Sequence, residues 1–219
     1  MFIFPDGLYT DIRIESVYST KILFENYDLK QNKTKTDQGA MVRVYDGQRW
    51  YYSATTDIGS IQASIDSLAA MARPEGDIAN HPAVCRMEVN TGESLRFADC
   101  RVSDVAHEEK MSLARSFVPV LRQAGSVQKS RIYYLDKYTL KHILSSKGTD
   151  IKFDVQSCSV SVRYTLQGKD APFNSGEDIY ETTFDKLTGR QEKVSAALNR
   201  DEAFCQSAVP VRPGIYTCV

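Results

Sequence analysis

The sequence has no apolar run near the ~20 residues that cross a bilayer as a helix. Its first residues, Met1–Gly7, lack the positively charged region and the apolar core of a secretory signal peptide. The five cysteines include no Cys-x-x-Cys pair, and this pattern is typical of reduced, structural thiols rather than of a disulfide framework or zinc knuckle. They are Cys85, Cys100, Cys158, Cys205 and Cys218. We therefore expect a cytoplasmic protein without a membrane partner.

An excess of charge of one sign is also missing. The sequence has 27 lysines and arginines against 28 aspartates and glutamates, a net charge of −1. It therefore has no long-range attraction for a polyanion. Glycine-rich phosphate loops are absent too, since Lys147 precedes Gly148 where a nucleotide-binding loop needs the reverse order. These absences predict that the protein does not bind nucleic acid.

What the sequence does contain is the composition of a globular domain, with 42% hydrophobic and 25% charged residues among 219. The clearest local signal is Asp46-Gly47 between two segments rich in β-branched and aromatic residues. Because a type I′ turn needs positive φ at both central positions, this pair predicts a two-residue hairpin in which Arg43 faces Trp50. In that register Met41, Tyr45 and Tyr52 share their face, and the other face carries Val42, Val44 and Tyr51.

A helix is predicted directly after the hairpin. The segment 55–57, Thr-Thr-Asp, offers helix N-caps, and apolar residues then recur at three- and four-residue spacing. These residues are Ile58, Ile61, Ile65, Leu68, Ala69 and Ala72. We expect the hairpin and the helix to form one packed unit, with Trp50 packed against Arg43 and against this helix.

Strands and helices occur in blocks along the chain. Alternating patterns predict strands at 9–15, 20–26, 85–89, 131–135, 138–144, 151–164 and 179–184, with turns at 146–148 and around 172–176. A helix is predicted from Ser103 to about Gln123, with a kink or an early end at Pro119. The last helix is expected to turn one face inward, with Val194, Ala197, Leu198, Phe204 and Cys205 on it.

These blocks predict an α+β fold with largely antiparallel sheets, packed helices and two pseudo-duplicated halves that each combine strands with a helix. The expected domain covers 1–209, with sub-lobes of about 1–80 and 81–209.

The residues alone assign no catalytic, cofactor-binding or metal-binding side chain. His107-Glu-Glu-Lys-Met111 begins like a His-Glu-x-x-His zinc motif, but Met111 stands at the second ligand position, so we expect a solvated helix face. His81 and His142 have no cysteine or carboxylate at ligand spacing and are expected at the surface or at an edge. Ser145-Ser-Lys-Gly148 lacks the helical Ser-x-x-Lys spacing of a serine nucleophile and predicts a hairpin tip.

A series of motifs, in order, resembles the amino-terminal half of the TldD/PmbA family. They are Tyr9-x-Asp-Ile-Arg-x-Glu15, Ser19-Thr-x-Ile-x-x-Glu-Asn26, Gly39-x-x-Val-Arg-Val-x-Asp-Gly-x-x-Trp50, Tyr52-Ser-Ala-Thr55, Ser145-Ser-x-Gly148 and Pro213-Gly-Ile-Tyr-Thr-Cys-Val219. Their order and spacing match the family over nearly the whole chain. One departure is Tyr51, where the family often has glycine, and this changes what the hairpin packs against.

The resemblance implies a two-part protein in which TldD-type members are zinc metallopeptidases and PmbA-type members are partners without the metal site. The family's zinc-binding His-Glu-x-x-x-His helix follows the strand that Gly214–Val219 resembles. Residues 210–219 are therefore expected to begin a strand leading into a carboxy-terminal metallopeptidase-like domain that this sequence does not contain. Because no position here matches the zinc ligands, zinc is implied only for the full-length peptidase.

Two hypotheses about function follow from the resemblance. The first is an amino-terminal scaffold and substrate-chamber domain of a TldD/PmbA-like peptidase, inactive alone, in peptide maturation or degradation. Its expected partners are a carboxy-terminal metallopeptidase half or a TldD/PmbA-type subunit, and a peptide substrate. The alternative is a self-sufficient, non-catalytic binding or assembly module. A DNA-binding regulator, suggested only by the family's gyrase-modulator label, ranks last because no recognition motif is present.

Overall fold

The computed structural model describes residues 2–168, 171–209 and 212–217. Its strands are β1 (Tyr9–Glu25), β2 (Asp28–Tyr45), β3 (Trp50–Thr55), β4 (Thr91–Ser94), β5 (Val127–Ser145), β6 (Asp150–Leu166) and β7 (Phe173–Glu181). Its helices are α1 (Ile61–Met71), α2 (Pro82–Cys85), α3 (His107–Arg115), α4 (Val118–Gln123) and α5 (Gln191–Ser207). The predicted α+β class is confirmed. None of the helices in these described residues is both long enough and apolar enough to cross a membrane.

The strands pair in the order β3-β2-β1-β5-β6-β4, and β7 also pairs with β6. Strands β2 and β3 pair antiparallel, as do β6 and β7, whereas the short β4 runs parallel to β6. Between the stretches that pair with β4 and with β7, two side chains of β6 bind a loop instead. Asp154 accepts the N–H of Arg96 at 2.8 Å, and Gln156 accepts the N–H of Val102 at 2.7 Å. The edge of β6 that faces away from β5 therefore has partners along most of its length.

The chain forms two compact units, and each is described separately. The first contains Met1–Thr20, Thr34–Val105 and Asp136–Ser157, and the second contains Lys21–Lys33, Ala106–Leu135 and Cys158–Val219. Each of the four long strands β1, β2, β5 and β6 contributes residues to both units. The units therefore do not follow the order of the sequence.

Long strands replace several of the shorter ones that the sequence predicts. β1 and β5 are continuous over 17 and 19 residues, so the predicted breaks at 15–20 and at 135–138 are wrong. Asp136, which lies within the second of these predicted breaks, is buried and accepts the N–H of Thr20 at 2.7 Å. A buried polar side chain that has a hydrogen-bond partner interrupts the alternation of apolar and polar residues in the sequence without ending the strand.

In the first unit, α1 covers one face of the hairpin formed by β2 and β3. Asp57 caps a short 3₁₀ turn before α1 by accepting the N–H of Gly59 at 3.0 Å. The predicted apolar stripe is confirmed, since α1 buries three side chains in a cluster with strand residues. The cluster contains Ile61, Ile65, Leu68, Leu8, Ile12, Ala40, Val42 and Val44, and Tyr51 packs against it.

The predicted register of this hairpin is wrong by two residues. Tyr45 pairs with Trp50 and Arg43 pairs with Tyr52, so the connecting loop has four residues, 46–49. Only Gly47 in this loop has a positive φ, of 105°, so the backbone does not form a type I′ turn. Since the side-chain period of a strand is two, a two-residue shift leaves every side chain on its predicted face.

The turn with two positive φ angles lies elsewhere, between β1 and β2 in the second unit. Asn26 and Tyr27 have φ values of 48° and 74°. Asn26 exchanges two hydrogen bonds with Ser130, its N–H donating at 2.9 Å and its side-chain oxygen accepting at 3.0 Å. Arg122 lies 4.9 Å from the centre of the Tyr27 ring. These tertiary contacts hold a tyrosine in a conformation that bulky residues rarely adopt.

The predicted break in the helix near Pro119 is confirmed, but the predicted N-cap Ser103 is wrong. The helix begins at His107 and ends at Arg115, and α4 then starts with the proline in its first turn. A proline there loses no intrahelical hydrogen bond.

The last helix, α5, buries Val194, Ala197, Leu198 and Cys205 as predicted. Phe204 is 54% exposed, so its predicted inward orientation is wrong.

The strand predicted at 85–89 is also wrong. His81 accepts the N–H of Ala83 at 3.2 Å and Pro82 occupies the first turn of a short helix that ends at Cys85, and residues 86–89 are not in a strand.

The predicted turn at 172–176 fails for a different reason. Gly176 pairs with Arg163 inside β7, and a Cβ at this position would lie 2.3 Å from the carbonyl oxygen of Val162. Glycine marks a close approach between strands at this point rather than a turn.

The predicted strand at Gly214–Val219 lies partly outside the described residues, which exclude Cys218 and Val219. Residues 212–217 have no regular secondary structure, and Ile215 and Tyr216 are exposed. The strand there stays a prediction.

Candidate functional site

The first unit presents an open surface on the side of the hairpin away from α1, which we name the outer hairpin face. Alternation along the two paired strands places six side chains on it. They are Met41, Arg43, Tyr45, Trp50, Tyr52 and Ala54. Tyr45 is buried, whereas Met41 and Tyr52 are exposed. This face therefore combines a packed end with an open one.

An ion pair fixes the middle of the outer hairpin face. The Arg43 Nε donates to the two carboxylate oxygens of Asp11 at 2.8 and 3.1 Å, and its Nη2 also donates to Asp11. The Asp11 side chain is 4% exposed and that of Arg43 is 20% exposed. The guanidinium also lies 4.8 Å from the centre of the Trp50 ring. A two-point ion pair of this kind fixes the plane of the guanidinium.

Trp50 is the centre of an aromatic cluster at the packed end. Its ring stacks on Tyr45 at 4.7 Å and meets the edge of Tyr9 at 5.9 Å. The predicted packing against Arg43 is confirmed, but the predicted packing against α1 is wrong. Alternation puts Trp50 on the opposite face from Tyr51, so it packs instead against the buried cluster that contains Tyr9, Tyr45, Ile78 and Val84.

Because Trp50 is only half buried, we expect Trp50→Ala to lower the free energy of unfolding by about 2 kcal/mol, below the ~3–5 kcal/mol of a fully buried aromatic. Trp50→Phe is the matched control, since it keeps a ring on Tyr45, and it should cost less than half as much. Urea titrations of the two variants measure the difference. Equal losses for both would show that the indole itself, rather than the stack, holds the cluster.

The loop beside this cluster is organised by Asp46, which is 2% exposed. Its carboxylate accepts the N–H of Gln48 at 2.9 Å and of Arg49 at 2.7 Å, the hydroxyl of Tyr51 at 2.9 Å and the N–H of Arg73 at 3.2 Å. Burial alone raises the pKa of this carboxyl. The four donors outweigh that effect and hold the pKa well below its usual range. Asp46 is thus a charged structural acceptor.

The open end of the outer hairpin face continues into a groove of about 710 Å³. Val17, Ala40, Met41 and Ala54 form its apolar part, and Arg13, Glu15 and Asp37 are its charged residues. Glu15 is paired with Lys141 at 2.9 Å. This surface is mainly apolar with a balanced charge, so it suits a neutral polypeptide surface better than a polyanion.

The two open edges of this sheet region differ sharply in composition. Residues 28–38 of β2, beyond the part that pairs with β3, carry three lysines and two aspartates, which are charges that typically protect an edge from pairing. β3, at the end of the strand order, has the sequence Trp-Tyr-Tyr-Ser-Ala-Thr and no charged residue. The groove is bordered both by the end of this charged stretch, at Asp37, and by β3, and of the two only β3 lacks charge protection.

The histidines do not converge on a metal site. His81 is bound to the N–H of Ala83 and its ring lies 5.2 Å from that of Tyr45. The His142 Nε2 lies 2.7 Å from Asp150, a carboxylate that the sequence spacing did not reveal because it comes from the next strand. Neither ring is fully buried.

His107 begins α3. Glu108 and Glu109 on that helix are exposed as expected, but Lys110 is fully buried, so the expectation of a solvated face is wrong at this residue.

A catalytic zinc needs three protein ligands that converge on one point. Among residues 2–168, 171–209 and 212–217, no three His, Cys, Asp or Glu side chains are grouped in this way. The residues therefore do not fit the zinc that the family resemblance implies for the full-length peptidase.

Ser145–Gly148 forms the predicted hairpin tip between β5 and β6. The Ser145 hydroxyl accepts the N–H of Thr149 at 3.2 Å, and that of Ser146 accepts the N–H of Thr10 at 3.0 Å. The Lys147 amine donates to the carbonyl oxygens of Val84, Cys85 and Met87 at 2.9, 3.3 and 2.5 Å. An ammonium that donates three hydrogen bonds is a structural tie and not a general base.

The described cysteines Cys85, Cys100, Cys158 and Cys205 form no disulfide with one another. Cys158 and Cys205 are buried, whereas Cys85 and Cys100 are exposed. Cys218 lies outside the described residues.

Residues 10–73 match the model of the PmbA/TldA metallopeptidase domain 1, and residues 100–197 match that of the PmbA/TldA metallopeptidase central domain. The chain belongs to the TldD/PmbA family. The predicted resemblance is thus confirmed, and the two matches cover the hairpin with α1 and most of the segment from α3 to α5. No curated protein matches this TldD/PmbA-family chain significantly by sequence.

Three solved structures share the fold of this TldD/PmbA-family chain. A proposed modulator of a DNA gyrase from Thermotoga maritima has a TM-score of 0.75 at 12% identity and covers 95% of this chain. A proposed modulator of DNA gyrase from Bacteroides thetaiotaomicron has a TM-score of 0.66 at 17% identity and covers 88%. TldE from Thermococcus kodakarensis has a TM-score of 0.68 at 8% identity and covers 90%. The matches span only 47%, 45% and 44% of those chains, so this chain covers about half their length.

Proposed function

We propose that this chain is the amino-terminal scaffold and substrate-handling part of a TldD/PmbA-like peptidase, in which the catalytic zinc belongs to another part of the protein or to a partner subunit. The observation that carries the proposal is the open end of the outer hairpin face. It joins an apolar groove of about 710 Å³ to an edge strand without charge. A carboxy-terminal metallopeptidase half, or a TldD/PmbA-type subunit, covers this surface in our proposal.

The chemistry of the face supports a structural role. Its charged groups at the centre are already neutralised, because Arg43 is bound to Asp11 and Glu15 is bound to Lys141. What remains for a partner is apolar surface and the backbone edge of β3, which are features of a protein interface. The chain then supplies walls and positioning for a peptide, and the partner supplies the reacting groups.

The location of this interface can be tested with single charge insertions. Met41→Lys places a cation in the groove and should weaken binding of the carboxy-terminal half of a full-length family member at least tenfold. Thr34→Lys, at an exposed position on the other face of the same strand, is the matched control and should leave the affinity unchanged. Titration calorimetry measures both. Equal affinities for the two variants would place the interface elsewhere and remove the support for this face.

We also predict that the chain alone binds no stoichiometric zinc and cleaves no peptide, because no three ligands converge in its described residues. Elemental analysis of the purified chain should find far less than one zinc per chain. One zinc per chain, lost on chelation together with peptide hydrolysis, would contradict the proposal of a non-catalytic part.

A further inference from the structure

The segment before β1 lies against the first core cluster in an alternating way. Phe2 and Phe4 are partly buried against the cluster that includes Ile61 and Ile65 of α1, whereas Ile3 between them is 76% exposed. Two inward aromatic side chains flanking an outward one indicate an extended backbone. We name residues 2–6 the amino-terminal strap. It lies before residue 10, where the match to the family's first domain begins.

A single side chain of α1 binds the backbone of the strap. The Gln62 Oε1 accepts the N–H of Ile3 at 2.9 Å, and its Nε2 donates to the carbonyl oxygen of the same residue at 3.0 Å. The Nε2 also donates to Asp66 at 2.9 Å, which orients the amide. One amide thus exchanges both hydrogen bonds with one residue, as a neighbouring strand does at a hydrogen-bonded pair.

These contacts have the chemistry of peptide recognition. Main-chain hydrogen bonds provide attachment that does not depend on sequence, and side chains at alternate positions provide the selectivity. The strap itself is outside every strand, and its described residues receive these two main-chain bonds from one partly exposed side chain of α1. A segment held by so few groups can exchange with a competitor of the same pattern.

We propose that Gln62 and the adjoining apolar surface form a binding site for extended peptides with two aromatic residues separated by one residue, and that the strap occupies this site in the free chain. The site lies on the α1 side of the hairpin, not on the outer hairpin face, so it does not depend on the proposed interface with a catalytic half. Its ligand is a neutral Phe-x-Phe segment, and any side chain is accepted at x because Ile3 points to solvent.

The test uses the whole chain with a weakened strap. In the Phe2→Ala/Phe4→Ala variant the two anchors are lost while the site stays intact. A fluorescein-labelled peptide with the sequence of residues 1–7 is titrated into this variant and into the unaltered chain, with near-ultraviolet circular dichroism as the check of folding. We expect saturable binding to the variant and binding at least tenfold weaker to the unaltered chain, whose own strap competes.

Three controls make the result specific. Adding Gln62→Ala to the variant should weaken binding of the peptide at least fivefold. Adding Gln31→Ala, at a glutamine of β2, should leave the peptide affinity unchanged. A peptide with alanine for the residue at x should bind equally well, and one with alanine for both aromatics should not bind. Should the double variant fail to fold, Phe4→Ala alone serves in the same titration.

The proposal is overturned if the folded variant binds no peptide, or if binding is indifferent to Gln62→Ala and to the loss of the aromatics. Neither result bears on the proposed interface at the outer hairpin face, because the Met41→Lys comparison tests a different surface. Conversely, if Met41→Lys binds the carboxy-terminal half with unaltered affinity, the proposed interface is contradicted but the strap site is not.

Discussion

Replacing Asp46 with alanine is expected to lower the free energy of unfolding by roughly 3–5 kcal/mol, the largest effect of any single substitution discussed for this chain. The carboxylate is buried and serves three backbone N–H groups and one hydroxyl. Alanine removes all four acceptor contacts at once and leaves the donors of the 46–49 loop without their partner. Denaturant titration with an unchanged m-value measures the loss.

Asp57→Ala is the matched control, because Asp57 accepts only a capping N–H, from Gly59, with its side chain. It should cost about 1 kcal/mol, the usual value for a lost N-cap. A similar loss for the two variants would mean that the Asp46 network adds nothing beyond an ordinary turn acceptor.

The effect of Asp46 should also depend on pH. Burial raises the pKa of this carboxyl, but the donors lower it further and hold it below the unfolded value of ~3.9. A group with a depressed folded pKa stabilises the protein above the unfolded pKa, and that stabilisation is lost as the pH falls through the folded pKa. The difference between the unaltered chain and Asp46→Ala should therefore be constant near neutrality and shrink below about pH 4. A difference that stays constant down to pH 2 would contradict this account.

The second large effect is expected for Asp11→Ala, which should cost roughly 3 kcal/mol. The variant removes the carboxylate of a mostly buried, two-point ion pair and leaves the Arg43 guanidinium above Trp50 without its anion. Arg43→Ala should cost a similar amount. The double variant should cost less than the sum of the two, since the first substitution already removes the shared interaction.

Glu25 provides the control for the ion pair. Its bond to Arg131 is also short, at 2.6 Å, but the arginine side chain is more than half exposed. Glu25→Ala should therefore have little measurable effect, as for most solvent-screened pairs. A loss for Asp11→Ala no larger than that for Glu25→Ala would show that the Arg43 pair behaves as a surface contact.

Periodicity in the sequence predicted the parts of the fold that depend on alternation and helical spacing. The faces of β2 and β3 and the buried stripe of α1 are determined by which residues are apolar, so a register error of two residues did not disturb them. The turns could not be predicted in the same way. Asp46-Gly47 has the composition of a type I′ turn, yet the Asp46 carboxylate binds the N–H groups of the next residues and opens the loop to four.

Tertiary contacts override local preference at the opposite turn. Asn26 and Tyr27 adopt two positive φ angles because Ser130 and Arg122 hold them, and neither partner is near in sequence. The wrong turn prediction at Gly176 and the wrong break prediction around Asp136 have a related cause. A glycine that allows close approach and a buried aspartate that accepts one N–H resemble strand breaks when only their neighbours along the chain are visible.

The candidate surfaces were less visible in the sequence than the fold. The motif Gly39 to Trp50 marked the right hairpin, but the pairing of Arg43 with Asp11 joins residues far apart in the chain. The open groove depends on three separate segments, 13–17, 37–41 and 54–56. The strap site had no sequence signal at all, because its recognition depends on one glutamine meeting the backbone of Ile3. Periodicity in the sequence shows which residues share one face of a strand or helix. It does not show which faces from distant segments lie together, so a site built from such faces can be found only in the folded structure.

The measurement that most directly tests the central claim is sedimentation velocity of the unaltered chain, alone and with the carboxy-terminal halves of several full-length TldD/PmbA-family members. The account predicts that the chain self-associates through its uncharged edge and apolar groove when alone, or forms a defined complex with at least one of these halves. In either case, Met41→Lys should shift it toward monomer. If the chain sediments as a monomer at every concentration and forms no complex with any added half, the claim is contradicted and a self-sufficient binding module is favoured.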